Sequence, residues 1–528
     1  RNGGQRQMET EQSKQQVNTL PNKPTNPFIE VWSIAWPTIL TMVSFTVMQF
    51  VDKLMVSKVG ALEVAAQGNA GTWSFAMIAT VMGVVTVVNT YVSQYLGAGK
   101  PEIGPKYPWA AMWISLVLWV LLLVPWAFML PWVFEHIHVG EHLSEAPKLI
   151  SLESSYATIT ILGSVFLLIG RGFTQYFFGM HMPKIITVST IIANIVNVVS
   201  NYIFIFGEEG LPGFFPGIPG TPALGLAGAA YGTVIGMFVE MLIPFLVFLS
   251  AKFNNAYKTR APWKPCIKTC KEIFRLGWPG AIQWGNEIIC WAIFMTIFVG
   301  HFGTDDMTAG WIALGYLNLS FMPAIGLNVA VNSIVGKYIG AGKPEIAVSR
   351  ARVGVIIAMI YMTVCAGIFI VFREDMVAWF VSDSGLEPER RAAIIALGSK
   401  MLVLVALFQT VDAIGIVYSG ALRGAGDTVW PGVVTAVYSW VFIVGGGWIA
   451  VTYFPNLGSI GPWIAAAMYI ILIGITMLIR FEKGKWKEID LLKDPDRIEA
   501  GRSAPITIGP PACEADAAIA DLGDHKID

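Results

Sequence analysis

The chain is a succession of apolar runs long enough to cross a bilayer, and this decides its fold class before any other feature is weighed. A span needs about 20 apolar residues, and such runs occupy 28–58, 62–96, 108–132, 150–181, 184–206, 224–251, 273–301, 307–340, 349–372, 392–422, 428–453 and 458–481. In lipid the backbone must satisfy its own N–H and C=O groups, so runs of this length are helices. With 55% hydrophobic and 13% charged residues over 528 positions, the composition cannot cover a soluble protein's surface. The expected fold is an all-α polytopic membrane protein with twelve transmembrane helices.

The chain also contains itself twice. Tyr95-Leu96-Gly97-Ala98-Gly99-Lys100-Pro101-Glu102-Ile103 returns 243 residues later as Tyr338-Ile339-Gly340-Ala341-Gly342-Lys343-Pro344-Glu345-Ile346. Glu30 with Trp36-Pro37 matches Glu272 with Trp278-Pro279 at nearly the same offset. Six spans fall in each repeat, which divides the chain into an N-lobe at 27–251 and a C-lobe at 272–482, two pseudo-symmetric six-helix lobes around a central cavity. Residues 252–271 form a linker, 1–26 a polar N-terminal tail, and 483–528 a C-terminal tail with too little apolar content to order itself. Duplicated halves in an apolar chain point to a transporter that binds cargo between them.

Alternate loops are basic. Lys100 and Lys106, Lys184, the run from Lys252 to Arg275, Lys337 to Arg352, and Arg423 stand against Glu135 to Glu145, Glu208 with Glu209, and Asp305 with Asp306. The positive-inside bias therefore predicts a multi-pass cytoplasmic (plasma) membrane protein with both termini and the linker in the cytoplasm. Residues 1–25 lack the apolar core of a signal peptide, so the first span is expected to direct insertion.

A net charge of −1, with no basic run interleaved with aromatics, excludes a nucleic-acid partner. An intramembrane enzyme would need a nucleophile and base at membrane depth, and no histidine lies well inside a span. Cys266 and Cys270 lack a second pair for a zinc site. Glu135, His136, His138, Glu141 and His142 read as a solvated loop, since the catalytic His-Glu-x-x-His pattern is absent. The expected partners are small molecules and lipid, with no cofactor beyond a coupling ion, and the chain is read as a monomer.

Ionisable groups at membrane depth are costly and mark function unless they pair locally. Asp52, Glu287 and Asp412 stand out, with Arg171 and Glu240 as a candidate local pair. Asp52 follows Pro37 in the first span and Glu287 follows Pro279 in the seventh, so each half opens on a proline-bearing helix with a carboxylate. A buried carboxylate either holds a proton or holds a cation, so these acids are candidate cation sites, with Na⁺ at Glu287 and Asp412 as the metal candidate. Asn194, Asn197 and Asn201 share one helix face and either line a polar cavity or bond neighbouring helices. Gly225, Gly228, Gly232 and Gly236 form a ladder for close helix packing. Trp109 and Trp132 read as interfacial anchors.

These residues carry a resemblance to the MATE (multidrug and toxic compound extrusion) family, in its NorM-like branch, over about Pro27 to Arg480. The motifs are Phe50-Val51-Asp52-Lys53-Leu54-Met55-Val56, Leu276-Gly277-Trp278-Pro279 with Glu287, and Phe408-Gln409-Thr410-Val411-Asp412 followed by Gly420-Ala421-Leu422-Arg423-Gly424. The resemblance implies an antiporter that exports organic, often cationic, compounds or drugs against Na⁺ or H⁺. Its two lobes would form a V-shaped cavity, with Glu287 and Asp412 as the C-lobe cation site and Asp52 as the N-lobe acid. Gln283, Phe408 and Gln409 join the three asparagines as candidate polar or cargo-cavity lining. The chain departs from relatives in carrying Asn201 where other branches have a second acid, and Phe408 where some have tyrosine. The alternative reading is a flippase for lipid-linked oligosaccharide or lipid. It would need a groove rich in Arg and Lys for pyrophosphate, whereas the charges at membrane depth here are mainly acidic.

Overall fold

A computed structural model describes residues 26–137, 146–210, 217–381 and 387–492. Among the described residues, twelve helices are long and apolar enough to span a bilayer. They are numbered here in chain order: α1 Pro27–Ser57, α2 Leu62–Gly97, α3 Pro101–His136, α4 Pro147–Gly179, α5 Pro183–Phe206, α6 Leu226–Leu249, α7 Ile267–Phe302, α8 Thr304–Gly340, α9 Pro344–Val371, α10 Pro388–Ala425, α11 Val429–Tyr453 and α12 Ile460–Glu482. Several run past the apolar stretch that announced them. Pro101, Pro147, Pro183, Pro344 and Pro388 each open a helix, where a missing N–H costs nothing.

The halves meet reciprocally: α1 packs on α8, and α7 packs on α2. The duplicated Gly-Ala-Gly segments form the turns α2–α3 and α8–α9, where Gly99 and Gly342 take φ of +76° and +69° and close each helix. The glycine before each of these has a different task. A Cβ on Gly97 would strike the Lys337 carbonyl, and one on Gly340 would strike the Gln94 carbonyl. The repeat thus marks the place where the two halves cross, backbone against backbone.

At this turn face the halves share their cores. Val31, Ile34 and Ala35 of α1 pack with Ala324, Leu327, Val331, Ala351, Ile416 and Phe481, while Val84, Val88 and Phe177 pack with Ile273, Leu276 and Ala281. Polar contacts across the seam gather at the same end. Glu30 accepts from Tyr338 Oη at 2.6 Å and from Arg350 Nε at 2.8 Å. Thr90 donates to the Arg423 carbonyl at 3.0 Å, Gln94 to the Gly424 carbonyl at 2.9 Å, and Ser333 to the Phe178 carbonyl at 2.6 Å.

Toward the opposite face the cores are separate. Val56, Ile78, Phe134, Ile161 and Leu226 belong wholly to the first half, and Cys290, Phe294, Met401, Phe408 and Trp463 wholly to the second.

Three expectations change. The C-terminal segment does not leave the protein at Lys483: Trp486 is fully buried, stacks on Phe481 at 5.0 Å and donates to the Phe481 carbonyl at 2.8 Å. Packing on α12 orders a stretch whose composition alone would not, while 493–528 lie outside the described residues. Trp109 is a buried packing residue and not an anchor, because its ring sits among Phe173, Phe245 and Phe248 and its Nε1 donates to the Thr259 carbonyl at 2.8 Å. Glu135 and His136 stand on the last turn of α3, because that helix continues past its apolar run; His138, Glu141 and His142 lie outside the described residues.

Candidate functional site

Each half holds acids inside its own bundle. In the first half, α1 runs through Pro37, whose missing N–H removes one helical bond, and Asp52 lies beyond it, 8% exposed. Asn201 of α5 donates through Nδ2 to Asp52 Oδ1 at 2.6 Å and lies 3.4 Å from Asn197 Oδ1. The glycine ladder puts these amides there. A Cβ on Gly232 would strike the Asn201 amide, and one on Gly236 would crowd Asn197, so α6 presses α5 toward α1. Asn197 Nδ2 and Asn201 Oδ1 have no described hydrogen-bond partner. Asn194, one turn along α5, donates to Ser44 Oγ at 2.7 Å and to its carbonyl at 3.0 Å.

In the second half, Glu287 of α7 and Asp412 of α10 lie within electrostatic reach of one another. Tyr469 of α12 is 3.5 Å from Glu287 Oε1, the outer limit of a hydrogen bond, and Asp412 has no hydrogen-bond or ion-pair partner among the described residues. Phe408 and Gln409 flank the pair from α10, both fully buried; Gln409 Nε2 donates to Ser320 Oγ at 2.6 Å. One turn before Glu287, Gln283 is half-buried, and Asn286 donates to Ser439 Oγ at 2.6 Å while accepting from Trp440 Nε1 at 2.6 Å.

The arrangement therefore brings Asp52 together with Asn197 and Asn201, and Glu287 together with Asp412, in two separate places. Asn197, Asn201, Phe408 and Gln409 are packed inside the bundles and do not wall an open cavity in this conformation, because they fill helix–helix contacts; Asn194 and Gln283 keep partial exposure. Arg171 and Glu240 line one pocket between α4 and α6 and lie within electrostatic reach of one another, with no direct ion-pair contact between them among the described residues.

Sequence reasoning missed Glu153 of α4, fully buried, which accepts from Asn69 Nδ2 at 2.9 Å. It also missed Tyr156 on the same helix, close enough to sense the charge of Asp52. An acid inside the fourth apolar run was the available signal for Glu153. Tyr156 and Tyr469 carried none, since a tyrosine in an apolar run reads as packing. Among the described residues no cluster of three His, Cys, Asp or Glu forms a metal site. Two carboxylates and a phenol are hard oxygen donors, which suit an alkali cation or a proton over a transition metal.

Twelve helices in two repeated halves, with carboxylates held at depth in each, are the architecture of a polytopic membrane transporter. The MatE family model matches residues 37–203 and 288–449, more than half the chain. A Multidrug resistance protein NorM of Burkholderia vietnamiensis is 27% identical over 460 residues, covering 86% of this chain and 93% of its own. A Probable multidrug resistance protein NorM of Pseudomonas putida is 26% identical, covering 91% and 99%. Among solved structures, one described as an outward-facing conformation of a multidrug resistance MATE family transporter matches the fold with a TM-score of 0.74 at 20% identity, over 93% of this chain and 99% of that one. A structure of MATE in complex with MaL6 matches at 0.75 and 19% identity, over 90% and 99%. The chain belongs to the MATE family, in its NorM-like branch.

Proposed function

We propose that this protein is a secondary active antiporter of the plasma membrane that exports amphipathic, often cationic, organic compounds in exchange for Na⁺ or H⁺. The observation that carries the reading is the Glu287–Asp412 pair. Asp412 is buried and Glu287 half-buried, the two lie within electrostatic reach of one another, and with no described basic side chain in ion-pair range and a single weak donor the pair needs a cation or protons to be filled. Occupancy then biases the conformation, because the ion has different affinity for the two states of the halves. One elementary charge crossing 100 mV supplies about 2.3 kcal/mol, enough for a concentration gradient of tens-fold.

The turn face carries Lys100, Lys106, Lys337, Lys343, Arg350 and Arg352, which supports its assignment to the cytoplasm. The shared cores at that face and the separate cores at the other correspond to an outward-open state, and the 252–271 linker would let the N-lobe and C-lobe rock as a monomer. The relatives' names support drugs as cargo. Dye uptake into inverted vesicles under separately imposed Na⁺ and H⁺ gradients tests the reading. Uptake is expected to accelerate with one of the gradients; a rate indifferent to both contradicts antiport.

A further inference from the structure

A pocket at the seam belongs to neither acid site. It lies where Thr86 and Val87 of α2 meet Leu276, Gly280 and Gln283 of α7, Ser419 and Arg423 of α10, and Asp427, Thr428 and Pro431 just beyond. It has room for about one water-sized occupant. The Arg423 guanidinium, the Ser419 hydroxyl and the Gln283 amide all line it, and none has a hydrogen-bond or ion-pair partner among the described residues.

The ordinary explanations for an arginine there do not apply. At a helix C-terminus an arginine commonly serves the last carbonyls, but three of the last four of α10 are already engaged. Leu422 O accepts from Asp427 N at 2.9 Å, Arg423 O from Thr90 Oγ1 and Gly424 O from Gln94 Nε2. The one carboxylate in the pocket already has a cation: Asp427 Oδ2 accepts from Arg480 Nε at 2.7 Å, and Arg480 lies over the Trp430 ring at 4.9 Å. The hydroxyls of Thr86 and Thr428 donate to the Gly83 and Leu276 carbonyls. What remains unspent is a guanidinium, with a hydroxyl and an amide beside it that can each supply a donor. A guanidinium has only donors to offer, and one without a protein partner is completed by an anion.

We propose that this pocket binds a single anionic atom, a halide or one carboxylate oxygen, held by Arg423, Ser419 and Gln283. The wall contributed by α2 comes from the first half and the rest from the second, so the site is complete only while the turn face is closed. An anion bound there therefore stabilises that conformation.

The test uses the full chain in detergent, with thermal unfolding followed while bromide or chloride replaces gluconate at constant ionic strength. The wild type is expected to gain stability saturably with halide, Arg423→Gln to need at least tenfold more halide for the same shift, and Ser419→Ala a few-fold more. An unchanged halide titration in Arg423→Gln, or none in the wild type, overturns the proposal. Should Arg423→Gln not fold, anomalous diffraction from wild-type crystals soaked in bromide decides: a peak between Arg423 and Gln283 supports the site, and an empty pocket at saturating bromide overturns it. A zwitterionic cargo and its ester separate the sources. Bromide displaced by the carboxylate form alone assigns the anion to cargo, and bromide displaced by neither assigns it to free halide. This last arm alone rests on the transport reading; the halide titration does not.

Discussion

The two acid sites sit in corresponding halves and are built on opposite plans. Asp52 receives a short hydrogen bond from Asn201, in a site whose amides are wedged in place by the α6 glycines. Glu287 and Asp412 have two carboxylates and one distant phenol between them. The repeat does not relate these groups. Under the offset that superposes Trp36-Pro37 on Trp278-Pro279, Asp52 falls opposite Phe294 and Glu287 opposite Phe45. A carboxylate supplied with donors is tolerated without a cation, whereas a pair without them is not. We propose on this basis that ion coupling rests chiefly with the second half and that the first half has a modulating role.

The sharpest way to break this assignment is to neutralise the two sites separately. Glu287→Gln and Asp412→Asn are each expected to reduce gradient-driven efflux by about tenfold or more, equivalent to some 1.4 kcal/mol of lost coupling, in a vesicle assay normalised to protein content. Asp52→Asn keeps a polar group against Asn201 and is expected to cost less, about threefold in the same assay, because a hydrogen bond survives while the charge is lost. A loss in Asp52→Asn equal to that in Asp412→Asn would erase the distinction between the halves.

Asn201→Ala sharpens the comparison from the other side. It removes the donor to Asp52 and is expected to lower stability by roughly 1–3 kcal/mol, read as a fall in unfolding temperature in detergent, with coupling through the second half intact.

The smallest expected effect lies at the turn face. His181, in the α4–α5 turn, holds φ at +60°, and its Nε2 is 3.1 Å from the Ser333 carbonyl across the seam. Burial, with Lys337 nearby adding repulsion that Glu30 only partly offsets, pushes the imidazole down to about 3 from its ordinary 6.5. The unfolded chain thus binds a proton that the folded one refuses. This contribution to stability is complete above about pH 6.5 and declines as pH falls from there toward 3. Unfolding temperatures of His181→Gln and wild type compared over that interval should show a shallower acid slope in the variant.

How much of this was legible in the sequence follows from what lipid makes conspicuous. Twelve helices, the repeat and the three acids stand out because a charge or a break in an apolar run is rare and costly. Helix ends were less legible: α3 begins at Pro101 and α10 at Pro388, ahead of their apolar runs, because tertiary packing carries a helix beyond its hydrophobic stretch. The repeat located the crossing of the halves but not its meaning, since Gly97 and Gly340 are turn glycines on paper and interhelical contacts in space. Tyr469 and Tyr156 were invisible for the reason that made Asp412 obvious: a phenol costs little in an apolar run. Trp486 belongs to the same class, a single aromatic that packing alone recruits.

The central claim, that the Glu287–Asp412 pair carries the coupling ion, is tested most directly in proteoliposomes by recording the ion movement that cargo itself elicits, with Na⁺- and pH-sensitive dyes in the lumen. Addition of cargo should drive a counter-flux of one of the two cations in the wild type and in Asp52→Asn, and none in Glu287→Gln or Asp412→Asn. A cargo-elicited counter-flux of wild-type size in Asp412→Asn would contradict the account.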